Sequence, residues 1–189
     1  TLISITAVPT KTIYLPIVSR NHAVAPDLVV ERITATADNV QVVLSNQGAA
    51  PVVDDFWVDV YIDPNTPPTD VNQIWQHVGS QGLVWGVSAD ALPLQPGAVL
   101  TLTVNDAYYW PTKSAVSWPL APGTPIYAQV DSANAATGHG AVLENHEIIG
   151  RPYNNVSEPV SSTATAGSAL APNESGTGHT LITDLPRRR

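Results

Sequence analysis

Phe56-Trp57-Val58-Asp59-Val60-Tyr61-Ile62 is the stretch from which the fold can be read. Phe56, Val58, Val60 and Ile62 alternate with Trp57, Asp59 and Tyr61. A period of two sends the two sets to opposite faces of an extended chain, so the stretch reads as a half-buried β-strand. Trp57 and Asp59 fall on its outward set, where Asp59 is expected to meet water.

The same pattern recurs on both sides. Val40, Val42 and Leu44 alternate with Gln41, Val43 and Ser45. Leu100, Leu102 and Val104 alternate with Thr101 and Thr103, and Ile126, Ala128 and Val130 with Tyr127, Gln129 and Asp131. Residues 28–33, 83–87 and 144–149 complete seven predicted strands. Asn46-Gln47-Gly48, Pro96-Gly97 and Pro122-Gly123 supply turn chemistry between them. With no amphipathic helix in view, the chain predicts an all-β fold of two packed antiparallel sheets.

Composition agrees. Apolar residues make up 43% of the 189, enough to bury a core, and only 13% are charged, about half the usual share. The absence of cysteine excludes disulfides and thiolate metal sites. The net charge is −8, and three of the eight basic residues are Arg187, Arg188 and Arg189. The body therefore carries no basic stripe for nucleic acid. No stretch approaches the roughly 18 apolar residues of a membrane span. The chain contains no methionine and begins at Thr1, from which we expect a removed leader or a fragment of a larger protein.

Three regions separate by composition. Residues 1–25 form an apolar, β-branched arm, residues 26–153 hold the strand pattern, and residues 154–189 form a Ser/Thr/Ala/Pro-rich tail of linker composition. Two connections, about 63–81 and 105–125, are long enough to be functional or to pack as small subdomains.

Within 26–150 several stretches carry a family resemblance. They are Pro26-Asp27-Leu28-Val29-Val30, the strand from Val40 to Leu44 ending in Ser45-Asn46-Gln47-Gly48, Phe56 to Asp63, and Leu94-Gln95-Pro96-Gly97 before alternating Leu and Thr. In these the chain resembles the CARDB family, cell-adhesion-related domains found in bacteria. The resemblance implies an immunoglobulin-like sandwich in an extracellular or surface protein, with no catalytic residues to carry over. The Trp-containing excursion after Asp63 departs from a minimal domain of that type.

No nucleophile elbow, phosphate loop or His-Glu-x-x-His motif is present, so no enzyme is expected. Asp63, Asn65 and Asp70 offer the hard oxygens Ca²⁺ favours, but without the glycine and closing glutamate of a calcium loop. No other cofactor is expected. His139 and His146 with Glu144 and Glu147 lack zinc spacing and read as a polar patch near a strand end. Trp57, Trp75 and Trp85 are candidates for stacking on glycan, set against the alternative that these rings pack the long connections onto the sandwich. Asn155-Val156-Ser157 and Asn173-Glu174-Ser175 are N-glycosylation sequons.

The arm places Ile3, Ile5 and Ala7 on one face of its first run, and Ile13, Leu15 and Ile17 on one face of its second. An apolar strand is rarely left unpaired, so it must cover its own sheet edge or a neighbouring copy's. The reading is an extracellular, cell-surface structural or adhesive protein that self-associates, as a pilus-like filament subunit using strand donation. The alternative is a carbohydrate-binding or accessory module of a larger secreted protein. Expected partners are copies of itself, extracellular polysaccharide or other surface proteins.

Overall fold

Alternating β-branched and aromatic residues build the strands of the computed structural model, which describes residues 24–164. These are β1 (Leu28–Ala35), β2 (Val40–Asn46), β3 (Phe56–Ile62), β4 (Gln81–Val87), β5 (Val99–Thr103), β6 (Pro125–Val130) and β7 (Val160–Ser161). Two single-turn helices, α1 (Trp75–Val78) and α2 (Asn145–Ile148), interrupt them. One sheet runs β1-β2-β5 and the other β4-β3-β6-β7, all pairs antiparallel. The fold is an immunoglobulin-like β-sandwich, as the alternation predicts.

The inner faces meet in one core of Leu28, Val42, Leu44, Phe56, Val58, Val60, Leu83, Trp85, Leu102, Ile126 and Val130, among others. The outer face of the four-stranded sheet is covered as well. Tyr61, Trp75, Val78 and Val84 form a second cluster there, with Trp57 and Tyr127 against it. The two long connections make this cover. The first brings α1 onto the sheet. The second runs along the free edge of β4, where Gly82 and Ala115 exchange backbone hydrogen bonds of 2.8 and 2.9 Å and Trp110 N–H donates to Val84 C=O at 2.8 Å.

That cover corrects the expectation for Asp59. The residue is buried, and its carboxylate accepts from Trp75 N–H at 3.1 Å and from the Ser132 hydroxyl at 2.5 Å. Residues 144–149 are also corrected. They form α2, capped by Glu144 in a reciprocal capping box with Glu147, rather than a strand. The seventh strand is β7, which lies in the stretch assigned to the tail. Residues 154–164 belong to the sandwich, since Ser157 N–H donates to Ala128 C=O and Thr163 N–H to Ala35 C=O.

Candidate functional site

Four strands end a sheet, and each edge is treated differently. The edge of β4 is covered by 105–115. β7 is two residues long. β1 carries a register shift between Val30 and Arg32, and the bulged Glu31 and adjacent Arg32 are exposed charges. Bulges and charges are what native proteins use to stop edges pairing with other chains.

β5 has none of these guards. Its residues Val99-Leu100-Thr101-Leu102-Thr103 include no charge, no proline and no bulge, and Val99 is 60% exposed. Leu100 and Leu102 lie opposite Leu44 and Val42, and the series continues with Asn46 N–H to Ala98 C=O and Val104 N–H to Val40 C=O. By alternation, Val99, Thr101 and Thr103 turn their backbone groups outward. Thr103 is satisfied, donating to Asp106 Oδ2 and accepting from Trp85 Nε1. Val99 and Thr101 have no backbone partner on that side among the described residues. Two N–H and two C=O groups therefore stand in a row.

Ile3, Ile5, Ile13, Leu15 and Ile17, the candidate donor residues, lie outside the described residues. So does Asn173.

The aromatic candidates divide. Trp75 and Trp85 are buried, in the outer cluster and the main core respectively, so neither offers a face to a glycan. This is the packing alternative. Trp57 is half-buried beside a cleft of about 210 Å³ lined by Asp59, Gln76, Val84 and Lys113. Its neighbour is Trp110, 44% exposed, at 5.0 Å between ring centroids. The rings are tilted by 58° and both rest over Gly86, so they share no flat platform of the kind that stacks on a sugar.

Asp63, Asn65 and Asp70 are exposed turn residues, and they do not appear in the group of metal-ligating type found among the described residues. That group is Asp27, Glu144 and His146. It forms where the segment after β6 returns beneath the start of β1. Glu144 is fully buried and accepts from Leu28 N–H and from Asn155 Nδ2. Burial pushes its carboxyl up to about 8, against the two hydrogen bonds that pull it down. Asn155 is therefore not open to a glycosyltransferase: its side chain is buried with its amide turned onto Glu144.

Asp131 lies in the same region. Its carboxylate accepts from the N–H groups of Ala141 and Val142, both at 2.8 Å. Burial raises it from 3.8 to about 6. A raised carboxyl takes up its proton in the folded state first, so stability grows as pH falls from about 6 towards 4. The expected gain is about 2 kcal/mol, somewhat less than a two-unit shift would give in full. Asp59 and Glu144 are raised for the same reason and act in the same sense. Thermal unfolding followed between pH 7 and 4 checks this, and Asp131→Asn is expected to make the profile shallower, with Glu144 and Asp59 supplying the slope that remains. A midpoint that falls steadily over that range contradicts it.

No protein-family model and no curated protein matches the chain. A crystal structure of the CARDB domain of a Pyrococcus furiosus protein, in complex with di-metal ions, does match. The chain is similar to a CARDB domain. Identity is 23%, 82% of this chain and 100% of that chain are covered, and the TM-score is 0.41. Among the described residues no helix is long and apolar enough to cross a membrane.

Proposed function

We propose that this protein is an extracellular, non-catalytic structural and adhesive subunit that associates with copies of itself by strand addition. The observation that supports the reading is the unguarded outer edge of β5, in a sandwich whose other edges are covered, shortened or charged. The donor is the apolar N-terminal arm, whose Ile3, Ile5, Ile13, Leu15 and Ile17 lie at strand spacing. Main-chain hydrogen bonds to Val99 and Thr101 supply affinity, and alternate apolar side chains supply register. The edge and the arm are different surfaces, so the contact is head-to-tail and generates an open filament rather than a closed dimer.

Two variants test this. Deleting residues 1–20 removes the donor and leaves the core of residues 24–164 whole. Thr101→Pro removes one outward N–H while the bonds of Leu100 and Leu102 to β2 stay. Each is expected to give a folded monomer by light scattering and circular dichroism, where the wild type assembles. Assembly that survives both changes contradicts the proposal.

A further inference from the structure

The cluster at Asp27, Glu144 and His146 has a property that a satisfied polar patch lacks. Among the described residues, four buried side-chain polar atoms find no hydrogen-bond partner: Asn145 Oδ1, His146 Nε2, Asn154 Oδ1 and Asn155 Oδ1. All four belong to residues of this cluster or in contact with it. Buried polar groups are nearly always bonded, so each such atom asks for an explanation. His146 is 3% and Asn155 2% exposed, which leaves bulk water out of the account.

The contacts around the group are one-sided. Asp27 Oδ1 accepts from Asn154 Nδ2 at 3.1 Å and lies 3.3 Å from His146 Nδ1. Glu144 Oε1 accepts from Asn155 Nδ2 at 2.5 Å, and Glu144 Oε2 accepts from Leu28 N–H. Glu147 Oε1 lies 4.0 Å from His146 Nε2. Among the described residues no lysine or arginine forms an ion pair with these carboxylates, and the ion pairs here are those of His146. Two carboxylates and a buried imidazole with an unpartnered Nε2 thus meet with no lysine or arginine paired to them among the described residues.

We propose that Asp27, Glu144 and His146 hold a divalent cation of the first transition row, Zn²⁺ by its donor set. One ligand atom from each lies within 4.8 Å of the others. Ligands about 2.0–2.2 Å from an ion sit roughly 3–3.5 Å apart, so the side chains close by small rotamer changes. The imidazole sets the metal class, because Ca²⁺ takes an all-oxygen shell whereas mixed nitrogen and carboxylate donors suit Zn²⁺. The Asp27 side chain, 17% exposed, opens the way in from solvent. The ion would tie the segment before β1 to the cap of α2, across a sequence separation that Leu28 and Glu144 already span. This site does not depend on the assembly proposed above.

The test is calorimetric titration of the chelator-stripped full chain with ZnCl₂, and in parallel with CaCl₂ and MgCl₂. One Zn²⁺ is expected per chain, with a raised unfolding temperature and at least roughly tenfold weaker Ca²⁺ binding. His146→Ala and Asp27→Asn are expected to weaken Zn²⁺ by roughly tenfold or more, the scale on which metal sites respond to lost partners. Asp27→Asn keeps shape at a partly open position, so it remains informative if His146→Ala does not fold. Failure of the folded wild type to bind Zn²⁺ overturns the proposal. So does Zn²⁺ affinity unchanged in Asp27→Asn, or Ca²⁺ binding as tight as Zn²⁺.

Discussion

Trp85→Ala is expected to lower the free energy of unfolding by about 3–5 kcal/mol, the range for a large aromatic removed from a packed interior. Trp85 lies on β4 opposite Val58 and is among the largest fully buried side chains. Its ring meets Tyr109 at 5.6 Å and a tilt of 59°, an aromatic pair that burial area alone does not count. Its Nε1 donates to Thr103 C=O at 3.1 Å, linking the two sheets at the end of β5. Alanine leaves a cavity and an unpaired carbonyl together. Trp85→Phe keeps most of the volume and loses the hydrogen bond, and is expected to cost about 1–3 kcal/mol for the orphaned group and lost volume. Urea unfolding measures both. A loss below about 1 kcal/mol for alanine would mean this ring is not in the core.

Gly82→Ala is expected to cost about 1–3 kcal/mol, although it adds one methyl group. Gly82 lies on β4 opposite Tyr61, beneath the Trp75 ring. A Cβ there would stand 2.6 Å from Trp75 Cδ2, 2.6 Å from Val60 C=O, and closer still to Trp75 Cγ. The carbonyl belongs to the central strand and cannot give way, so the ring must lift. Lifting it strains the Trp75 Nε1 bond to Lys113 C=O and the Trp75 N–H bond to the buried Asp59. The loss of stability is therefore accompanied by altered near-ultraviolet dichroism. Gly138→Ala, where a Cβ meets nothing within 4 Å, is the matched control and is expected to be neutral. Equal stability of the two variants would contradict the packing described for the outer cluster.

Six strands were legible because each is long enough to show a period of two. Residues 144–149 were not, for a physical reason. A four-residue helix covers barely one turn, too little for a period of 3.6 to appear, and Glu144 and His146 mimic alternation. The visible signal was the Glu144/Glu147 spacing of a capping box. β7 pairs only Pro125 with Ser161 and Ile126 with Val160, so its Ser-rich context dominated. Asp59 misled because alternation tells which face a residue takes, and not whether a later excursion covers that face. The acidic cluster joins Asp27, part of the Pro26–Val30 stretch of the family resemblance, to Glu144, His146, Asn154 and Asn155 from the other end of the domain. No local spacing carries such a meeting. The clue was a concentration of Asn, Glu and His in a chain otherwise poor in charge. Conversely, the missing guards on β5 are plain in the sequence, but their meaning depends on knowing which strands end a sheet.

The proposed assembly requires β5 to receive a strand from a neighbouring copy. Hydrogen exchange resolved to single amides tests this most directly, in assembled wild-type material and in the chain lacking residues 1–20. Leu100 and Leu102, bonded to β2, are expected to be slow in both. Val99 and Thr101 are expected to exchange rapidly in the truncated monomer and slowly in the assembly. If those two amides exchange equally fast in both samples, the edge of β5 is not where the molecules join.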